Sequence, residues 1–404
     1  MGLPQPVLLA AIGLALACAV SLGLARFAYT LLLPSMRDDL GWSYATAGLM
    51  NTVNAAGYLI GALLLPRWQA RFDGRSVVLA GGLGAALTMA LHALAASDAE
   101  LLVLRTLSGI SSAASFAGGG LLAARLAQSP GVGERSGLVL GLYYGGTGVG
   151  IILSALMVPW AEARWAAEGH GWRAAWVLLG VVGLLATGVT LRLTRSLAGP
   201  PVPARRGPRA PVAALAKAMA GYLMFGLGYI GYMTFIVALA REQGLDAIGT
   251  TVFYALLGAG VIASSWLWAG LLQRHRGGRP LAQLNGLLAL ATALPVVLVH
   301  PVALFISGAL FGSVFLSVVA STTALVRHNV APSDWPSGIA AFTTIFAAGQ
   351  IVGPTLVGWV SDAWGAGLEG GFILSAGLLA MGCLLAALQT PLDRGGEGGR
   401  STST

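Results

Sequence analysis

The segment TRSLAGPPVPARRGPRAPVAALA, residues 194–216, is the stretch on which the fold turns. It sets Pro200, Pro201, Pro203, Pro208 and Pro211 among Arg195, Arg205, Arg206 and Arg209. Proline lacks a backbone donor and arginine is costly in hydrocarbon, so this density cannot cross a membrane. The sequence on either side reads the opposite way. The 404-residue chain is 56% hydrophobic and only 9% charged, against a usual charged share of about 25%. Too few charges remain to cover a wetted surface, which excludes a soluble globular enzyme and a disordered chain. Residues 194–216 therefore divide two apolar halves of similar length and read as a cytoplasmic linker.

Apolar runs fall near 6–33, 43–66, 76–96, 99–124, 136–160, 172–193, 217–240, 247–272, 281–299, 301–326, 336–360 and 371–390. Most reach the roughly 20 residues that cross a ~30 Å hydrocarbon layer as helix. The alternating pattern of a membrane barrel is absent, and a spanning backbone must satisfy its own hydrogen bonds. The expectation is an all-α membrane protein of twelve transmembrane helices in two six-helix bundles. Residues 1–194 form the first bundle, 195–216 the linker, and 217–404 the second bundle with a short tail. Met1 to Pro6 has no basic stretch, so the first run reads as a retained span. Cys18 and Cys383 stand alone in apolar runs and give neither a disulfide framework nor metal spacing.

Charge placement sets the orientation. With both termini cytoplasmic, seventeen Lys and Arg residues fall in cytoplasmic segments, among them Arg67, Arg71, Arg75, Arg274, Arg276 and Arg279. Four, namely Arg37, Arg164, Arg173 and Arg241, fall outside. That is the positive-inside asymmetry of a multi-pass inner-membrane protein. The net charge of +8 then faces an anionic leaflet and needs no nucleic acid.

The halves also repeat. At an offset of 203 residues Gly23 meets Gly226, Tyr29 meets Tyr232, Gly41 meets Gly244, Gly57 meets Gly260, Gly109 meets Gly312 and Arg71 meets Arg274. Span ends stay in phase throughout, and six spans per half is even, so the repeat is parallel with a pseudo-twofold axis.

Three features carry a family resemblance. Span four has Arg105 followed four residues later by Gly109. Span five has Gly141, Gly145, Gly146, Gly148 and Gly150, and basic turns follow spans two and eight. In these the chain resembles transporters of the major facilitator superfamily. The stretches around Gly23–Tyr29 and Phe225–Tyr232 resemble its YbfB/YjiJ-like bacterial branch. The resemblance implies a secondary transporter with a central cavity. Neither basic turn carries the family's leading Asp, since Leu65 and Pro66 stand there, so a charge latch at that turn is not expected.

Every Asp and Glu falls in a loop or at a span end, Glu162, Glu242 and Asp362 among the outer ones. Two arginines, Arg26 and Arg105, are left in hydrocarbon without a deep carboxylate, each at a cost of at least ~2.5 kcal/mol. Arg26 lies ~15 Å from the outer mouth, beyond the reach of a snorkelling side chain, and Arg105 lies about six residues into span four from the same side, at broadly similar depth. They read either as fork donors for an anion, with a carboxylate the leading form, or as cations held by carbonyls and hydroxyls such as Ser108 and Ser112.

The repeat sets Tyr229 opposite Arg26, and Tyr229 shares a helix face with Tyr232. The expected contact set is Arg26, Tyr29, Asn54, Arg105, Tyr144, Tyr229, Tyr232 and Gln350. His92 lies toward the outer end of span three and reads as a packing histidine. Gly353-Pro354 should weaken or kink span eleven. A carboxylate proton relay is not expected, so a proton would travel on the substrate, or the protein is a uniporter or exchanger. No ATP-binding loop, catalytic group, metal site or cofactor is expected, and the expected state is a monomer in lipid. An exporter of hydrophobic drugs is the alternative, and it would tolerate Arg26→Ala.

Overall fold

The computed structural model describes residues 3–165, 171–200, 212–365 and 367–392. Most of the linker with Arg205, Arg206 and Arg209, the turn holding Glu168, and the tail with Asp393, Arg394, Glu397 and Arg400 lie outside the described residues. Twelve helices are long and apolar enough to span. They are α1 (Gln5–Leu40), α2 (Tyr44–Arg71), α3 (Gly74–Leu94), α4 (Asp98–Leu126), α5 (Ser136–Arg164) and α6 (Gly171–Leu193). The second half contributes α7 (Val212–Glu242), α8 (Ala247–Arg274), α9 (Arg279–Val297), α10 (Pro301–Asn329), α11 (Ser337–Ala363) and α12 (Gly367–Ala387).

Local chemistry sets the helix ends. Ser43, Asp73, Ser97 and Asp246 accept from the first-turn amides of α2, α3, α4 and α8. Asp73 accepts from the amides of Arg75 and Ser76 and from the Ser76 hydroxyl. Partial burial alone would raise its pKa, but those donors outweigh it and hold the carboxyl below the usual range. Gly41 and Gly244 follow α1 and α7 at φ 65° and 87°, where a side chain would strain. These two are 203 residues apart, so the repeat extends to turn geometry.

The repeat is also visible in packing. A methyl group on Gly109 of α4 would sit 2.1 Å from the Asn54 carbonyl oxygen of α2. One on Gly312 of α10 would sit 2.1 Å from the Leu257 carbonyl oxygen of α8. Both members of these contacts differ by 203. Backbones this close gain dispersion contacts that lipid cannot replace.

The two halves meet along α2–α11, α5–α8 and α1–α7. The first two pairs are images of one another under the repeat. α7 and α1 are the most enclosed spans, 83% and 67% buried over their apolar windows. α11 is one continuous helix with Pro354 inside it. Gly48 of α2 lies against the Pro354 carbonyl there, with room for no Cβ.

Hydrogen bonds between the halves cluster at the end away from the basic turns. Thr30 donates to the Met233 carbonyl, two positions related by the repeat. Asn51 donates to Thr234 at 2.8 Å, and Tyr254 donates to the Phe27 carbonyl at 2.7 Å. Nearer the tip, Tyr44 donates to Glu242, and Asp362 accepts from the amides of Tyr44 and Ala45 at 3.0 and 2.8 Å.

Gly109→Ala and Gly312→Ala are expected to lower the thermal unfolding midpoint, with strain of about 1–3 kcal/mol. Gly137→Ala, with nothing within 4 Å, should not lower it. Scanning fluorimetry of the detergent-solubilised variants is the check, and equal midpoints for all three would contradict the close approach.

Candidate functional site

α1 is not one regular helix. It is α-helical over Gln5–Cys18, π-helical over Ala19–Phe27 and α-helical again over Tyr29–Leu40. The wide segment carries Arg26. Widened turns shift the backbone hydrogen-bond register and recur at functional sites. Here two carbonyls of the segment find partners elsewhere: Ala25 accepts from Arg105 and Phe27 from Tyr254.

Arg105 of α4 is 1% exposed and fully engaged. Its Nε donates to the Met50 carbonyl at 3.3 Å and its Nη1 to Ala25 at 3.1 Å. Its Nη2 donates to Asn51 Oδ1 at 2.8 Å. The guanidinium carbon lies 4.6 Å from the Tyr29 ring centre, whose hydroxyl in turn donates to the Ala47 carbonyl at 2.9 Å. Arg105 thus binds α1, α2 and α4 together. One sequence expectation made both arginines ligand forks. For Arg105 the structure matches the other, a cation held by carbonyls.

Arg26 is the opposite case. It is 4% exposed, yet it makes no hydrogen bond or ion pair with any described residue, and its Nε is buried without a partner. Only ring faces meet it, Tyr58 at 5.5 Å and Phe27 at 5.9 Å. The ion pairs among the described residues are Arg37–Asp38 and Arg241–Glu162, both remote from it. Three more buried oxygens on α2 and α4 lack partners: Asn54 Oδ1, Ser108 Oγ and Ser112 Oγ. Asn54 itself is anchored through Nδ2 to the Arg105 carbonyl at 3.0 Å.

The second half faces Arg26 with aromatic surface. Phe225, Tyr229 and Phe346 stack with centroids 4.6–5.6 Å apart, and Tyr222 continues the stack. Phe315 joins Tyr229 at 6.1 Å and meets Phe27 edge-on at 5.8 Å across the halves. Arg26 is within electrostatic reach of the Tyr58 and Tyr229 hydroxyls. Gln350 donates its amide to the Tyr229 oxygen, which leaves the phenolic O–H to donate elsewhere.

Other expected contacts lie elsewhere. Tyr29 is spent on Ala47 and Arg105. Tyr232 points into the second bundle, its hydroxyl 2.8 Å from Ser307 and its ring 3.8 Å from Phe311. Tyr144 is half-exposed and joins a first-half cluster through Phe116, which also touches Tyr58. His92 stacks on Trp176 at 4.4 Å and its Nδ1 lies 2.6 Å from the Thr88 carbonyl, which is packing. Tyr58, Phe116, Phe315 and Phe346 were not singled out from the sequence. Tyr58 was detectable, since it lies one turn beyond Asn54 on the same helix face.

Arg105→Met is expected to lower stability by about 1–3 kcal/mol, because buried acceptors lose their donor. Arg26→Met should leave the unfolding midpoint unchanged or raise it, since it removes an uncompensated charge. The order of the two midpoints in scanning fluorimetry decides whether the arginines differ as described.

Residues 18–387 match the family model described as "Uncharacterised MFS-type transporter YbfB", a stretch holding eleven helices and most of α1. A chloramphenicol resistance protein of Streptomyces lividans is 27% identical over 399 residues, covering 93% of this chain and 95% of that one. Among solved structures, a bacterial homolog of the human lysosomal transporter Spinster, inward-facing and unoccupied, superposes with a TM-score of 0.71. It is 15% identical and the match covers 96% of this chain and 98% of that one. The human organic anion transporter MFSD10 superposes at 0.64 with 17% identity, over 95% of this chain and 99% of its own. With twelve spans, a parallel repeat and a family match over nearly its whole length, the chain belongs to the YbfB-type family of major facilitator superfamily transporters.

Proposed function

We propose that this transporter carries an organic anion, a carboxylate with a flat apolar body, between its halves by alternating access. The observation that supports the reading is Arg26, a buried cation that makes no hydrogen bond or ion pair with a described residue. Ionisable groups held at such depth usually mark a substrate path. A carboxylate would take the Arg26 fork, with Asn54 and the Tyr229–Gln350 pair completing its polar contacts. Its apolar body would lie against Phe225, Tyr229 and Phe346 on one side and Tyr58 on the other. Arg105, Tyr29 and Asn51 hold the first-half frame. The positive-inside asymmetry supports an inner-membrane reading with the basic turns and both termini in the cytoplasm, and the reading takes the protein as a monomer.

A second reading is favoured by the Streptomyces relative, whose name records chloramphenicol resistance. The aromatic wall would also suit an uncharged drug, and Arg26 would then contribute through its flat face.

Thermal-shift titration separates the two. Benzoate or phenylacetate should raise the unfolding midpoint of the wild type. Arg26→Met should weaken that binding at least tenfold, about 1.4 kcal/mol. Arg26→Lys should recover only part of it, because lysine lacks the planar fork. Stabilisation by chloramphenicol alone, unaltered in Arg26→Met, would favour the drug reading and sink the anion one.

A further inference from the structure

We infer that Glu162 is a proton-binding site whose protonation releases the latch between the two halves at the end away from the basic turns. The inference is independent of what the protein carries. Composition places Glu162 among the outer residues, but the structure sets it in the last turn of α5, where its side chain is 15% exposed. One carboxylate oxygen accepts from the Ser35 hydroxyl of α1. The other accepts from Arg241 Nη2 of α7 at 3.1 Å. Glu162 therefore ties α5 and α1 of the first half to α7 of the second. Among the described residues this is the only ion pair that crosses between the halves.

The other interhalf contacts at this end have no cation as donor. Glu242 accepts from a phenol, and Asp362 from two amides. A proton on either weakens a hydrogen bond. A proton on Glu162 does more: it removes the charge that compensates Arg241, whose guanidinium is only 30% exposed. The cation then gains by turning to water, which requires the halves to part.

No neighbouring group replaces it. On α1, Arg37 pairs with Asp38 and covers Tyr44, while Asp39 accepts from Trp172. On α6, Arg173 donates to the carbonyls of Ala93 and Ala95. On α4, Asp98 and Glu100 accept from Trp42 and the Ala96 amide, and Asp246 caps α8. Arg164, on the same turn of α5, lies by the Trp165 ring. In the proposed orientation this end faces the outside, so an acidic exterior would favour outward opening. A carboxylate proton site absent from the span interiors would then sit in the gate.

The test measures distance and needs no transported substrate. Spin labels at Ala99→Cys and Val299→Cys, both exposed at this end on opposite halves, report separation in a Cys18→Ala, Cys383→Ala background. In nanodiscs, the short distance at pH 8 should give way to a longer one by pH 5. Glu162→Gln should show the long distance at pH 8 and no further change. Arg241→Met should do the same from the other partner, which covers a Glu162 variant that fails to fold. Glu242→Gln should keep the wild-type pH response. A wild type that does not lengthen, a Glu162→Gln that tracks the wild type, or a short Arg241→Met at pH 8 would each overturn the inference.

Discussion

A guanidinium in an apolar interior is stabilised where oxygens take its N–H groups, and Arg105 finds two backbone carbonyls and the Asn51 amide oxygen. One of its acceptors, the Ala25 carbonyl, belongs to the π-helical turn of α1. In a uniform α-helix that carbonyl would be taken by the amide four residues on. The widened turn and the arginine meet at this carbonyl, as Arg105 also meets the Met50 carbonyl of α2. Arg26, the residue after Ala25, makes no hydrogen bond with a described residue.

The second half shows what happens without that exchange. At the 203-residue offset Arg105 corresponds to Gly308, and Met50, whose carbonyl Arg105 binds, corresponds to Phe253. A methyl on Gly308 would meet the Phe253 ring at 2.6 Å. A phenylalanine thus fills the space that the guanidinium occupies in the first half. Its partner helix α7 is α-helical from Ala216 to Glu242 with no widened turn. Two copies of one bundle have diverged at a single contact, a polar clamp in one and an aromatic plug in the other. The same split runs through the centre, where Arg26 faces the aromatic stack built around its counterpart Tyr229.

The parts legible in the sequence are those that depend on composition and register. Spans, basic turns and the repeat follow from hydropathy, arginine placement and glycine spacing. The Gly109–Asn54 and Gly312–Leu257 contacts confirm that the spacing carried packing information. The two deep arginines were legible as well, but their division of labour was not. It depends on a local change of helical pitch that no hydrophobic period reports. The role of Asn51, a polar residue inside span two, is not legible for a related reason: it bridges Arg105 and Thr234 across the halves, a contact that exists only after α2 and α7 dock. The packing of Tyr232 is not legible from helical spacing alone. One turn beyond Tyr229 the second bundle closes over α7, and the ring packs inward on Phe311.

The placement of the central groups bears on how a ligand could drive the halves. A ligand shifts a two-state equilibrium only by its difference in affinity for the two states. Contacts confined to one half would move with that half and supply no difference. In the proposed reading the charge contact lies on α1 and the aromatic and amide contacts lie on α7 and α11. A bound anion then reaches both sets only in states that hold the halves together at mid-depth. The Phe27–Phe315 edge contact already marks that closure without a ligand. At the far end, each neutral interhalf hydrogen bond contributes net about 0.5–1.5 kcal/mol, while a charge-assisted one contributes about 1.5–3 kcal/mol. Ligand contacts and latch are thus of comparable size and lie at different depths along the same interface, so neither alone dictates which end opens.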